Sequence, residues 1–442
     1  MGPDNLAERT RRRVTLRAMP FLILVYVTAY LDRANIAIAK LQMQSALSLT
    51  DEVIGFGASI FFIGYFLLEI PGTLIVERWS ARRWLARIMI TWGIVATLSG
   101  FAGLIPVPLS VRQQFYWLRF LLGAAEAGFF PGVVVYLSHW FREQDRARAK
   151  AWFMIAQPLS IVIGLPISRW ILETAHWYGL AGWRWVFILE GLPPVLLGFV
   201  TLFYLTDRPA QAKWLKDDER EWLVGELAAE ERRRTAARRT GIMDALRQPR
   251  TALLAASFFL IVTGNQAILV FLPSITDNMK SMSIVWRTVV TVLPYVCSIG
   301  GILFNGYLAS RTRRPTLHTA IPMLMAGVSL AMAILSGSNL AMVISFLCLL
   351  GFSFQAYLPV FWSIPSGFLG KSAAATAVGL INSFGNLGGF VGPYSFGYLR
   401  TRTGGYETGL WCLTACMIGA GVLASFIRQD APHRRPAQAA GE

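Results

Sequence analysis

Apolar stretches nearly unbroken by charge alternate along the chain with short polar segments; Ile54 to Ile75, Trp84 to Ile105, Val186 to Leu205 and Met323 to Leu350 are examples. They are too long for core strands, whereas a helix crossing lipid needs about 20 residues at about 1.5 Å each. The pattern predicts twelve spans. The first six cover roughly 18–40, 53–75, 84–105, 113–138, 148–172 and 184–206, and the second six roughly 252–274, 286–309, 317–337, 340–364, 374–398 and 407–427. The longest polar stretch, Asp207 to Arg250, holds runs such as Lys216-Asp217-Asp218-Glu219-Arg220 and Arg232-Arg233-Arg234. It reads as a cytoplasmic linker carrying one or two amphipathic surface helices. The expectation is an all-α membrane protein of about twelve transmembrane helices: an N-terminal six-helix half over 1–206, a linker over 207–250, and a C-terminal half with a short tail over 251–442.

The two halves echo each other. Glu77-Arg78-Trp79-Ser80-Ala81-Arg82-Arg83 follows the second span, and Ser310-Arg311-Thr312-Arg313-Arg314 follows the eighth. Gly164 and Pro166 in the fifth span parallel Gly392 and Pro393 in the eleventh. An internal repeat of six spans is what transporters with a rocking two-half mechanism use.

Charge fixes the expected orientation and removes competing classes. The chain is 55% hydrophobic and 15% charged, with a formal net charge of +16. A soluble domain carries about 25% charged residues. The basic residues cluster between apolar stretches: Arg9 to Arg17 before the first span, Arg78 to Arg87 after the second, Arg142 to Lys150 after the fourth, Arg311 to Arg314 after the eighth, and Arg428 to Arg435 at the end. Every second loop is basic, so both termini are expected in the cytoplasm. This pattern excludes nucleic acid as the partner; the lipid bilayer takes that place. Cys297, Cys348, Cys412 and Cys416 all lie in apolar segments, against both disulfides and a metal site. His139, His176, His318 and His433 are scattered. The polar, Arg-rich N-terminus leads into an apolar stretch that continues as a full span, so no cleavable signal peptide is expected.

Ionisable groups inside spans cost about 2.5–3.5 kcal/mol each on insertion scales, so they are the first place to seek function. The first span holds Tyr30-Leu31-Asp32-Arg33-Ala34-Asn35. Adjacent helical residues point about 100° apart, so Asp32 and Arg33 can face different partners. The fourth span holds Arg119 and Glu126, seven residues apart and therefore on one face, about 10 Å apart along the axis. Arg119 is expected to be the cation that steadies Glu126. Gly123, Ala124, Ala127, Gly128 and Gly132 allow close packing around them. Glu69 and Glu190 sit near an end or a kink and read as structural or gating groups. Gln157, Asn265, Gln266, Asn305, Asn382, Asn386, Trp362, Ser363 and Ser366 suggest a polar cavity between the halves. Gly370-Lys371-Ser372 looks like the end of a phosphate loop, but Pro365 stands where its first glycine belongs and no strand precedes it. With no ATP-hydrolysing domain, transport must run on a gradient. No nucleophile, metal or cofactor constellation appears, which argues against an enzyme, and no large signalling domain appears, which argues against a receptor.

At this point the residues carry a resemblance. Asp32-Arg33-x-Asn35 in the first span and Arg119…Glu126-Ala-Gly-Phe-Phe-Pro-Gly in the fourth resemble the major facilitator superfamily, most closely its anion:cation symporter branch. Tyr136-Leu137-x-x-Trp140-Phe141 and Gly182-Trp183-Arg184-Trp185-x-Phe187-Ile188-Leu189-Glu190-Gly191 look like further marks of that branch. It includes transporters of tartrate, galactonate, glucarate, allantoate, phthalate and hydroxyphenylacetate. The resemblance implies a major facilitator fold and a proton-coupled symporter importing a small organic anion, such as a sugar acid or hydroxylated carboxylate, across the bacterial inner membrane as a monomer without cofactors. An exchanger or exporter of aromatic acids or other anions is the alternative. By the same resemblance Asp32 and Glu126 are proton sites, Arg33 and Arg119 the essential basic residues, and Tyr30, Tyr65, Gln157, Trp362, Ser366 and Asn382 line the substrate cavity. Two positions after the second span depart from the superfamily pattern: Glu77 replaces the usual Asp and Ser80 the usual Gly.

Overall fold

The computed structural model describes residues 3–154, 156–236, 248–312, 314–365 and 371–427. Ser366 and Gly370 lie outside them. The N-terminal half holds α1 (Pro3–Leu47), α2 (Asp51–Arg78), α3 (Ala81–Ser99), α4 (Val111–Glu126), α5 (Phe129–Trp140), α6 (Glu143–Met154), α7 (Ala156–Thr174) and α8 (Gly182–Tyr204). After α9 (Asp217–Ala236) come α10 (Pro249–Asp277), α11 (Ile284–Thr312), α12 (Leu317–Leu335), α13 (Leu340–Phe354), α14 (Leu358–Phe361), α15 (Lys371–Thr403) and α16 (Glu407–Ser425). Among the described residues, 10 helical runs are long and apolar enough to cross a membrane. α3 and α15 fall at the third and eleventh expected spans. The fourth and tenth spans are not single straight helices. The fourth breaks between α4 and α5, and the tenth between α13 and α14.

The termini of the helices are set locally. Thr50 caps α2 by accepting from the Val53 amide, and Ser110 forms a capping box with Gln113 on α4. Ser80 accepts from the Arg83 amide at the start of α3 and donates to Asp207 Oδ2 at 2.7 Å, while Asp207 also accepts from the Arg82 amide at 2.9 Å. The serine that departs from the superfamily pattern is thus a helix cap that fastens α3 to the end of α8.

Glycines set the packing, and they do so twice. A Cβ on Gly123 would lie 1.9 Å from the Phe61 carbonyl oxygen, joining α4 to α2; one on Gly351 would lie 2.1 Å from the Pro294 carbonyl oxygen, joining α13 to α11. Gly164 admits Leu31 of α1 against α7, and Gly392 admits the Thr263 backbone of α10 against α15. Each contact in the first half has its counterpart six spans later, so the repeat seen in the sequence is also a repeat of close helix crossings.

Between the halves, α2 packs on α15, α7 on α11 and α1 on α10. At the end of the bundle remote from the N-terminus of α1, Arg169 of α7 meets Asp277 of α10 at 2.7 Å, and Asp277 also meets Arg287 of α11 at 3.1 Å. On the α2–α15 side, Asp51 lies 3.7 Å from Lys40 and 3.9 Å from Arg400. The Glu52 amide donates to Thr401 Oγ1 at 3.0 Å. The two halves are closed against each other at this end.

Candidate functional site

Midway along the bundle, α1 and α4 bring four charges together beside α2, with Asp32, Arg119 and Glu126 buried and Arg33 partly buried. Asp32 and Arg33 are neighbours in α1 and turn to different partners, as their angular offset requires. Asn35 Nδ2 donates to Asp32 Oδ1 at 2.8 Å, and Asp32 Oδ2 is buried with no hydrogen-bond partner among the described residues. Arg33 reaches across to α4 and donates from Nε at 2.7 Å to Glu126 Oε1, with Nη2 at 2.6 Å from the same oxygen. Three aromatic rings surround the Arg33 guanidinium, Tyr30 at 5.1 Å, Tyr65 at 5.2 Å and Phe61 at 5.4 Å, a geometry in which ring faces attract the cation.

Glu126 is the last residue of α4, and the break after it has a backbone cause. Gly128 has φ +83°, a left-handed conformation that a side chain resists, and a Cβ there would also sit 3.3 Å from the Gly72 Cα of α2. The chain therefore ends one helix and begins another where Gly128 meets Gly72 of α2. The carboxylate sits at the negative end of the α4 dipole, which opposes its charge, while the Arg33 contact supports it.

The structure corrects one expectation here. Arg119 and Glu126 do share a face of α4, but the cation that holds Glu126 is Arg33 from α1, 93 residues away in sequence. Arg119 is only 3% exposed, and its Nε and Nη1 have no hydrogen-bond partner among the described residues. Its guanidinium lies 5.3 Å from the Phe61 ring, so the two arginines flank the same aromatic side chain. Phe61 was not legible as a site residue because a phenylalanine in an apolar span carries no signal by itself. The available clue was the spacing of Phe61, Tyr65 and Glu69, which puts them on one face of α2.

The remaining candidates divide. Glu69 lies at the contact between the halves: Asn382 Nδ2 of α15 donates to its Oε1 at 3.0 Å and Asn386 Nδ2 to its Oε2 at 3.3 Å. Tyr30 and Tyr65 are buried beside Arg33. Gln157 is half-buried on α7, and Trp362, just after α14, packs edge-on against Phe258 at 4.9 Å. Asn305 serves the fold, donating to the His318 and Ala356 carbonyls at 2.7 Å each. Glu190 is also internal to one half, with Oε1 2.6 Å from Ser168 Oγ. No group of three or more metal-ligating side chains occurs among the described residues. A separate cavity of about 320 Å³ in the C-terminal half is lined by apolar groups such as Ile268, Leu272 and Leu347, and it shares no residue with the charge cluster.

Comparison with known proteins agrees with this architecture. Residues 22–393 match the family model described as Major Facilitator Superfamily. The chain is 40% identical over 97% of its length, and 97% of the relative's, to a protein of Agrobacterium vitis named "Putative tartrate transporter". It is 35% identical over 94% of both chains to a "Quinolone resistance transporter" of Acinetobacter baumannii. Among solved structures, the inward-open conformation of the xylose transporter XylE from E. coli superposes with a TM-score of 0.73 at 13% identity, covering 93% of this chain and 97% of that one, which is a likeness of fold.

Proposed function

This chain belongs to the major facilitator superfamily, and we propose that it imports a small hydroxylated carboxylate, of the tartrate or sugar-acid class, together with protons. It is a multi-pass membrane transporter, and the proposed setting is a bacterial inner membrane with both termini cytoplasmic. The observation that carries the reading is Arg119: a buried guanidinium whose Nε and Nη1 meet no acceptor among the described residues, beside an Arg33 already held by Glu126. A buried, unpaired cation is costly, and a bound carboxylate supplies what Arg119 lacks through a charge-assisted pair.

Proton coupling follows from the same bookkeeping. Asp32, Arg33, Arg119 and Glu126 carry formal charges that sum to zero. One bound monocarboxylate leaves this cluster at −1, and one proton on Glu126 or Asp32 restores neutrality. Protonating Glu126 also frees Arg33 to join Arg119 in holding the anion. Anion and proton thus favour each other's binding, and the reciprocity of linkage makes the coupling work in both directions. Tyr30, Tyr65, Gln157, Trp362 and Asn382 are assigned to the surrounding cavity wall.

The test is Glu126→Gln in reconstituted vesicles. The amide mimics the protonated state, so the variant should bind and exchange substrate yet lose accumulation driven by a pH gradient, by about ten-fold or more. Concentrative uptake at the ordinary rate would move the proton role elsewhere. The second reading is an exchanger or exporter of aromatic acids. It draws on the rings of Tyr30, Phe61 and Tyr65 around Arg33 and on the likeness to the quinolone-resistance protein. Preferential binding of aromatic over hydroxylated carboxylates would favour it.

A further inference from the structure

Glu69 joins the two halves of the bundle. It is 6% exposed, and both of its oxygens are taken by amides from the other half, Asn382 and Asn386, which are four residues apart and therefore on one face of α15. Two side-chain N–H donors meeting two oxygens of one carboxylate make a carboxylate-binding fork. In this conformation the fork holds the protein's own carboxylate.

The fork is also aligned with the first anion site. Phe61, Tyr65 and Glu69 stand at successive four-residue steps on α2. Arg119 lies against Phe61 at 5.3 Å, and Arg33 lies between Phe61 and Tyr65 at 5.4 and 5.2 Å. From Phe61 to Glu69 is about 12 Å along the helix axis, at about 1.5 Å per residue. A four- to six-carbon chain with a carboxylate at each end, adding a hydrogen bond of about 2.8 Å at each end, is of the length that spans this interval.

We propose that Asn382 and Asn386 form a second carboxylate subsite, occupied here by Glu69 as an internal stand-in, and that the preferred substrate is a dicarboxylate. One carboxylate pairs with Arg119 in the N-terminal half. The other displaces Glu69 from the two asparagines in the C-terminal half. Such a ligand bridges the halves with its own two ends, whereas a monocarboxylate satisfies Arg119 alone and leaves the Glu69 contact in place. Glu69 then sets specificity: a ligand must offer the fork a better acceptor than the side chain already there. This inference rests on the organic-anion reading above and goes further by naming the charge of the substrate and the residues that select it.

The experiment measures equilibrium binding of matched pairs to the purified full-length protein: tartrate against threonate, and galactarate against galactonate. Each pair differs only in whether one terminal carbon is a carboxylate or an alcohol. The wild type should bind at least one dicarboxylate more tightly than its partner. Asn386→Leu should erase that preference, by about ten-fold, while the monocarboxylate affinity stays within about two-fold. Glu69→Gln keeps the shape but offers the fork a poorer acceptor, so it should tighten dicarboxylate binding and leave the monocarboxylate unchanged. This near-isosteric variant keeps the proposal testable if Asn386→Leu fails to fold. Equal or tighter binding of the monocarboxylates by the wild type would overturn the proposal and leave the organic-anion reading standing, as would equal weakening of both ligands by Glu69→Gln. Binding of none of the four would overturn both.

Discussion

At the scale of single residues, buried acids reach partners on other helices, Glu126 taking Arg33, Glu69 taking Asn382 and Asn386, and Glu190 taking Ser168. Arg33 and Glu126 are the clearest case, with Glu126 2% exposed and bonded through Oε1 while its Oε2 has no hydrogen-bond partner among the described residues. Removing one member of a buried pair leaves the other charge without compensation, which costs about 3–5 kcal/mol, whereas removing both costs far less. Arg33→Gln is therefore expected to lower the melting temperature of the purified protein markedly. Arg33→Gln combined with Glu126→Gln should recover much of the loss, although neither recovers coupled transport. A thermal double-mutant cycle measures this directly, and additive losses would show that the two side chains do not stabilise each other. Asp32 is held instead by Asn35, a residue from the other end of the same four-residue motif.

At the scale of elements, the spans were legible because lipid leaves the backbone so little choice: an apolar stretch of sufficient length must be a helix that satisfies its own amides. The repeat was legible too, in Gly164 with Pro166 and Gly392 with Pro393. The break at Glu126 and Gly128 was not, because no local pattern announces it. It depends on the approach of Gly72 from α2, a contact made only after folding. The partner of Glu126 is likewise a product of tertiary geometry. The seven-residue spacing correctly put Arg119 on the same face, but the reach of Arg33 from α1 is a property of the α1–α4 geometry, which the sequence does not display. Asn382 and Asn386 could be recognised as polar residues in a span, but not their common target on α2. Gly128→Ala tests the break. It forces a side chain into a left-handed conformation and into the Gly72 contact, and costs of about 1–2 kcal/mol are expected from the backbone alone. Lower stability should come with a loss of transport larger than the stability change explains, because Glu126 is two residues away. Unchanged stability and uptake would mean that α4 and α5 can straighten without consequence.

At the scale of the whole molecule, the site lies below a closed end whose closure is partly electrostatic. Two acidic side chains each link the halves: Asp277 of α10 takes Arg169 from α7, and Asp51 of α2 faces Arg400 from α15. Each also has a cation in its own half, Arg287 for Asp277 and Lys40 for Asp51, and Lys40 is fully buried with its ammonium 3.7 Å over the Phe271 ring of α10. The cations that cross between the halves come from equivalent spans, α7 and α15, whereas the two acids do not, Asp277 ending α10 and Asp51 beginning α2. If these acids hold the end shut, neutralising Asp277 sets Arg169 against Arg287 as like charges and leaves Arg169, among the described residues, only Glu173 of its own helix, at 3.4 Å. Asp277 retains 31% side-chain exposure, so the pair is partly screened by solvent. A shift of about 1–2 kcal/mol, or roughly 5–30-fold in the ratio of open to closed forms, is the scale to expect. Spin labels at Thr174 and Lys280, exposed positions close to Arg169 and Asp277, report the separation of the halves at this end. In Asp277→Asn the distance distribution should gain a longer component, and about 1 M salt, where the screening length falls to about 3 Å, should move the wild type the same way. Asp51→Asn should do less, because its contacts at 3.7 and 3.9 Å are longer than the 2.7 Å pair at Asp277. A distribution unchanged by Asp277→Asn and by salt would assign the closure to apolar and backbone contacts such as Gly55 against Pro393, leaving the ion pairs as passengers.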